Sequence, residues 1–342
     1  MKKQRIRFSG GSTDIYFDGK FSLLNSLCGK RNSTIITDEN VFTAHKDRFR
    51  GWNVIVLKPG EEYKVQATAD AVIEQLIAME AGRDHILIGV GGGVVTDLTG
   101  YIASIYMRGI RFGFVPTTIL GLVDASIGGK NGVDVNSYKN LVGTIRQPDL
   151  ILHDLSLLAS LPDKEWKNGF AEVIKHAAIK DRVMFRALEQ NELFIYQDDK
   201  RSLSNLIYRN AMIKIRIVQK DEFEKGERKL LNFGHTIGHA IEARYDLLHG
   251  EAISIGMVCA AHISEKETGF AGTSRLVALL QKYGLPAYAK FDPEKVFSTL
   301  KMDKKRKSAG ISYVLLENIG KAKLKPITLN MIRKFLLSTK KW

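Results

Sequence analysis

The sequence predicts an α/β N-terminal domain, with a mostly parallel sheet covered by helices, followed by a mainly α-helical C-terminal domain. Three observations carry that expectation. Short apolar runs alternate with amphipathic segments as far as about residue 155, the pattern of strand–helix–strand units. Beyond that point long helical patterns run from Pro162 to Lys282. The chain has 342 residues, a length that suits roughly two domains. The expected division is 1–155 and 156–342.

Each element has its own signal. Thr34-Ile35-Ile36-Thr37 is an apolar β-branched run that ends at Asp38, and Asn53-Val54-Ile55-Val56-Leu57 is a second, closed by Pro59-Gly60. A helix is expected from Tyr63 to Ala81, with apolar positions near 65, 69, 72, 73, 76 and 77. A strand from His85 to Val90, a glycine turn and a helix from Val94 to Met107 follow. Phe112 to Val115 is a further strand, ended by Pro116, and after about 155 the β-rich runs stop. With no repeat and no low-complexity linker, the cleft between two such halves is the default ligand site.

Composition excludes several classes. Hydrophobic residues make up 44% and charged residues 26%, an ordinary globular balance that rules out disorder as the main state. The start, Met1-Lys2-Lys3-Gln4-Arg5, leads into no apolar signal-peptide core, and the stretch from Ala252 to Ala261 is far short of the ~18 residues of a membrane helix. Cys28 and Cys259 lie far apart in no metal-type spacing, as expected of thiols in a reducing compartment, so a cytoplasmic protein is expected. The net charge is 51 − 37 = +14, but fourteen Lys or Arg against four Asp or Glu lie in Lys290–Trp342. That segment also carries core-type residues, and no nucleic-acid motif accompanies the charge, so an anionic small substrate is favoured over a polymer.

Two glycine turns carry the first chemical signal. Gly91-Gly92-Gly93 follows a strand and opens a helix with Thr96 and Asp97 in its first turn. There the backbone approaches a phosphate closely, and the helix N-terminus offers free N–H donors. Val94 stands where a GxGxxG fingerprint has its third glycine, so the turn alone is a weak dinucleotide signal. A second turn, Ile127-Gly128-Gly129-Lys130-Asn131-Gly132, follows Pro116-Thr117-Thr118 and precedes Lys139-Asn140. Together the turns suit two anionic groups, a pyrophosphate and a separate phosphate.

The second signal is a run of polar residues at helical spacing. Arg228, Asn232, His235 and His239 step by four, three and four, which on one continuous helix forms a single stripe. The pattern is not HExxH, because Thr236 stands where the general-base glutamate would be. Four of the eight histidines fall between His235 and His262, His249 among them, and Glu172 and Lys175 stand three apart in an apolar helical context. One Glu and two His ligands would leave coordination positions open for a substrate.

These residues resemble the 3-dehydroquinate synthase family, from about Thr37 to Ile319. The matching segments are GGGVVTDLTGYIASIYMRG (91–109), VPTTILGLVDASIGGKNG (115–132), KNLVG (139–143), GFAEVIKH (169–176), LLNFGHTIGHAIEA (230–243), LHGEA (248–252), DKK (303–305) and LLENIGKA (315–322). The resemblance implies a Rossmann-like NAD-binding domain, a helical metal- and substrate-binding domain and a homodimer. It implies conversion of 3-deoxy-D-arabino-heptulosonate 7-phosphate to 3-dehydroquinate and phosphate, a lyase step of the shikimate pathway that leads to chorismate and the aromatic amino acids, using NAD and zinc or cobalt. By motif, the metal ligands are Glu172, His235 and His249. NAD contacts are Asp38, Asn40, Glu61, Lys64, Gly91, Gly92, Gly93, Asp97, Thr117 and Thr118, with Lys130 and Lys139 near the cofactor. Lys130, Asn140, His239 and Lys304 or Lys305 are implied to grip phosphate, helped by Arg108 of the partner subunit. Lys214, Arg228 and Asn232 are implied to hold the substrate carboxylate, while Asp124, Lys175 and Glu224 lie near the reacting hydroxyls. Val65, Asn131 and Val133-Asp134-Val135 depart from the family's usual pattern beside the cofactor and phosphate positions.

Three other readings compete. A cyclase for a sugar phosphate without a carboxylate has no need of Lys214, Arg228 and Asn232 together. An iron-type NAD-dependent polyol or alcohol dehydrogenase lacks the GGK…KN phosphate signature and releases NADH. A non-catalytic basic binding protein leaves the polar histidine run unexplained.

Overall fold

The computed structural model describes residues 1–136, 138–304 and 311–338. Contacts divide the chain into two compact units: Met1–Trp166 with Ile207–Phe223, and Lys167–Leu206 with Glu224–Trp342.

In the first unit the strands are β1 (Lys2–Phe8), β2 (Gly11–Phe17), β3 (Ser33–Asp38), β4 (Asn53–Leu57), β5 (Ile86–Gly91), β6 (Arg111–Pro116), β7 (Lys130–Val135), β8 (Tyr138–Ile145) and β9 (Leu150–Leu152). Helices α1 (Leu24–Leu27), α2 (Glu39–Ala44), α3 (Gln66–Ala78) and α4 (Gly93–Ile105) punctuate them. Seven strands form one sheet in the order β1-β2-β9-β6-β5-β3-β4. All its pairings are parallel except the β1–β2 hairpin. Every residue of β5 is buried, as a strand covered on both faces requires. Alternate residues feed two cores: Ile36 and Leu87 pack with Val72, Leu98 and Ile215 on one face, and Ile35, Ile86 and Ile88 with Leu24 and Phe49 on the other. Pleating sends neighbours to opposite faces. The β1–β2 hairpin, whose strands begin in charged and polar sequence, is not among the predicted strands.

The helices that follow are α5 (Asp163–Lys180), α6 (Arg182–Gln190), α7 (Leu193–Asp198), α8 (Lys200–Lys220), α9 (His235–Glu242), α10 (His249–Thr268), α11 (Thr273–Lys282) and α12 (Pro293–Lys304). After them come strands β10 (Ile311–Asn318) and β11 (Lys321–Ile327), then α13 (Leu329–Ser338). Two expectations are corrected here. Strands do not stop at 155, because β10 and β11 form an antiparallel hairpin. Its alternating pattern in Lys321–Ile327 is half-buried and lysine-rich, so it reads as charged sequence rather than as strand. The polar run is also not one helix: Glu227–Asn232 is a 3-10 helix, and α9 starts only at His235 after Gly234 at φ 81°. A left-handed residue ends helical geometry, so Arg228 and Asn232 do not share a stripe with the histidines.

Candidate active site

The second unit brings together residues from three helices. Glu172 lies in α5 and is fully buried; His235 opens α9 and His249 opens α10. His235 Nε2 is 3.6 Å from Glu172 Oε1 and His249 Nε2 is 3.5 Å from the same oxygen. One ligand atom from each residue falls within 4.8 Å of the others. A tetrahedral ion with bonds of about 2.1 Å separates neighbouring ligand atoms by roughly 3.4 Å, so the set fits a divalent cation with at least one open position.

Supporting contacts set the histidine tautomers. His235 Nδ1 lies 3.1 Å from the Phe233 carbonyl, which accepts its N–H and leaves the Nε2 lone pair toward Glu172. His249 Nδ1 lies 3.5 Å from Glu242 Oε1. Burial, joined by Lys175, drives the His235 pKa well below the ordinary value and keeps this imidazole neutral, as a ligand must be. Burial also opposes a charge on His249, but Glu172 and Glu242 outweigh it and raise its pKa to about 9, so cation binding must displace a proton there. Lys175, one turn along α5, is buried and pairs directly with Glu172. A buried carboxylate needs such a countercharge.

Close packing of α9 on α10 allows this convergence. A Cβ on Gly256 would lie 2.0 Å from the Gly234 carbonyl oxygen, and one on Gly238 would lie 3.0 Å from that of Ala252. Only hydrogen at these positions lets the helix backbones touch and sets His235 beside His249, with ring centroids 5.6 Å apart. His239 packs edge-on against His235 at 4.9 Å. In the same unit, Asn232 Nδ2 donates to Glu224 Oε1 at 2.5 Å, and Arg228 is 2% exposed.

In the first unit, the expected nucleotide residues gather at the C-terminal ends of parallel strands, where open α/β sheets bind ligands. Asp38 ends β3 and caps α2, accepting from the Val41 N–H at 3.0 Å, with exposed Asn40 in the first turn. The glycine turn ends β5 and begins α4; a Cβ on Gly91 would meet Val95 at 2.6 Å. Thr117 follows β6, and its buried hydroxyl has no hydrogen-bond partner among the described residues. Thr118 Oγ1 accepts from the Gly121 N–H at 2.9 Å. An unsatisfied buried hydroxyl beside a glycine turn with free helix N–H groups fits a nucleotide.

Lys64 is 4% exposed and makes ion pairs with Asp97 at 2.6 Å and Glu61 at 3.7 Å, and it donates to Asn140 Oδ1 at 2.6 Å. Burial works against its charge, but Asp97 and Glu61 overcome it and hold the lysine protonated. Lys139 and Asn140 lie on β8 and Lys130 opens β7. Lys214, on α8, reaches Asp124 Oδ1 at 2.8 Å. Arg108 is exposed on the turn after α4, at φ 65°. The Lys304 side chain and Lys305 lie outside the described residues.

Sequence reasoning passed over Asp134, Glu242 and Asn168. Asp134 Oδ1 accepts the Asn140 N–H at 2.7 Å; its signal was the departure at Val133-Asp134-Val135. Glu242 stands seven residues after His235, two turns along the same helix, a spacing that points to the same face. Asn168 stands one turn before Glu172 on α5.

Comparisons with known proteins point to one family. Residues 54–168 match the model described as 3-dehydroquinate synthase N-terminal, and residues 169–306 match 3-dehydroquinate synthase C-terminal. A 3-dehydroquinate synthase of Saccharolobus solfataricus is 43% identical over 82% of this chain and 82% of its own length. Among solved structures, 2-deoxy-scyllo-inosose synthase complexed with carbaglucose-6-phosphate, NAD+ and Co2+ superposes with TM-score 0.83 at 27% identity, covering 98% of this chain and 99% of the other. A 2-epi-5-epi-valiolone synthase from Streptomyces hygroscopicus subsp. jinggangensis, with NAD+ and Zn2+ bound, gives TM-score 0.88 at 26% identity over 97% and 98%.

Proposed function

This chain belongs to the 3-dehydroquinate synthase family, and on that premise we propose that it converts 3-deoxy-D-arabino-heptulosonate 7-phosphate to 3-dehydroquinate and inorganic phosphate, a carbon–oxygen lyase reaction of the shikimate pathway. The observation that carries this is the convergence of Glu172, His235 and His249, with NAD and Co2+ or Zn2+ in its structural neighbours. NAD held in the first unit would supply reversible hydride acceptance, and a cation held by Glu172, His235 and His249 would supply polarisation of a substrate oxygen.

The chain's residues orient the substrate and stabilise charge. Glu172, His235 and His249 hold the cation, and Lys175 balances the Glu172 charge. Lys214, Arg228 and Asn232 grip the carboxylate, and Asp124 and Glu224 address the hydroxyls. Lys130, Asn140, His239 and Lys304 or Lys305 bind phosphate, with Arg108 of the partner subunit in a homodimer. Asp38, Asn40, Glu61, Lys64, the Gly91–Gly93 turn, Asp97, Thr117, Thr118 and Lys139 receive NAD. With NAD bound, a ketone formed at one carbinol would acidify the adjacent C–H, so that a proton and phosphate could be lost by elimination; reduction back to the carbinol by the same NADH, then ring opening and an internal aldol closure, would give the carbocycle without net redox change. The free cysteines suit a cytoplasmic enzyme, and no helix among the described residues is long and apolar enough to cross a membrane.

A cyclase for a non-carboxylated sugar phosphate is disfavoured by Lys214, Arg228 and Asn232, and the family match does not favour the polyol dehydrogenase. The deciding experiment follows phosphate release from the heptulosonate phosphate with catalytic NAD, before and after chelation, while absorbance at 340 nm is recorded. Phosphate release that a chelator stops, without NADH accumulation, is expected. Sustained NADH formation, or release indifferent to chelation, overturns the reading.

A further inference from the structure

Helix α10 begins at His249 behind Leu248, whose hydrocarbon side chain provides no cap. The first-turn N–H groups of a helix have no partner within it, and here Gly250 is buried, where an unmet donor is destabilising. The partner comes from another helix: the Gly250 N–H donates to Asn168 Oδ1 at 2.5 Å. Asn168 is 7% exposed, on α5, one turn before Glu172. The two backbones meet there so closely that a Cβ on Gly250 would lie 2.2 Å from the Asn168 carbonyl oxygen. One side of this hydrogen bond is therefore next to ligand His249 in sequence, and the other is one helical turn from ligand Glu172.

We propose that Asn168 is a positioning residue for the cation site, capping α10 from α5 and so fixing the separation of His249 and Glu172. The inference rests on the metal reading above. Its cause is geometric: without the amide acceptor, the first turn of α10 loses the bond that registers it against α5, and the 3.5 Å approach of His249 Nε2 to Glu172 Oε1 is no longer enforced. Groups that orient ligands in this way typically influence metal affinity by roughly 10–100-fold.

The test is competition between the purified enzyme and a chromophoric chelator for Zn2+, with the visible spectrum of the Co2+-loaded enzyme as a second readout. Asn168→Ala is expected to weaken Zn2+ binding by roughly 10–100-fold and to change the Co2+ bands. Asn168→Asp keeps the acceptor, with its charge met by the N-terminal dipole end of α10, and is expected to stay within about threefold of the parent. NAD affinity is expected to be unchanged in both. Should Asn168→Ala fail to fold, Asn168→Ser, whose hydroxyl is too short to span the gap, carries the same expectation. Zn2+ affinity within about threefold of the parent in the Ala or Ser variant overturns the inference. Glu172→Gln serves as the reference: if it too leaves Zn2+ affinity intact, the metal reading itself fails; if it abolishes binding while Asn168→Ala does not, only the role of Asn168 fails.

Discussion

The two units solve the same problem, holding charge away from water, by different means. In the second, Glu172 is 0% exposed and sits among helices whose backbones touch through Gly234, Gly238 and Gly256. In the first, Lys64 is held by Asp97 on α4, Glu61 in the 3-10 turn after β4 and Asn140 on the β7–β8 hairpin. The helical site is positioned by backbone contact between helices, whereas Lys64 is positioned by charge pairing. Burial of a carboxylate is costly unless a cation attends it, and Lys175 fills that role beside Glu172.

The sharpest way to break this contrast is at the proposed ligands. Glu172→Gln or His235→Ala is expected to lower Zn2+ affinity and turnover by at least about a hundredfold, while NAD binding stays as in the parent; chelator competition and phosphate-release kinetics read the two. Next comes shape. Gly256→Ala places a Cβ 2.0 Å from the Gly234 oxygen and is expected to destabilise the fold by about 3 kcal/mol or more, seen in urea unfolding. Gly10→Ala, where a Cβ meets nothing within 4 Å, is expected to change it by less than about 0.5 kcal/mol.

On the charge-built side, Lys64→Met is expected to raise the NAD Kd by roughly tenfold, about 1.4 kcal/mol, with Zn2+ affinity unchanged; a parallel loss of Zn2+ affinity would erase the distinction. Smaller still at neutral pH is the effect of His153, 1% exposed, with neither ring nitrogen hydrogen-bonded among the described residues. Burial lowers its pKa from 6.5 to about 3. The unfolded chain takes up a proton below pH 6.5 that the folded chain refuses until about pH 3, so this group's contribution to stability is constant above that window and falls as pH drops through it. The loss across the window is of the order of 5 kcal/mol. Urea unfolding of His153→Leu is expected to lack this slope between pH 6 and 4; a parallel slope in parent and variant would show that other groups carry it.

Much was legible in the chain. The apolar runs of β3, β4, β5 and β6 announce themselves because parallel strands buried on both faces must be continuously apolar. Glu172, His235 and His249 were nameable because segments such as GFAEVIKH and LHGEA are specific. The β10–β11 hairpin was not legible, since its second strand alternates lysine with small or apolar residues and resembles a solvated segment. The single polar stripe was misread, because spacing alone cannot show that Gly234 takes φ 81°.

Sequence alone determined the alternation of strands and helices, the glycine turns and the identities of the ligand-type side chains, since periodicity and residue chemistry are local properties. Tertiary structure decided which of those side chains meet. That Glu172 lies 3.5 Å from His249, 77 residues away, that Glu242 lies 3.5 Å from His249, and that Asn168 accepts from the Gly250 N–H 82 residues downstream all depend on helices brought together by packing, and contacts at such separations leave no periodic trace in a single chain.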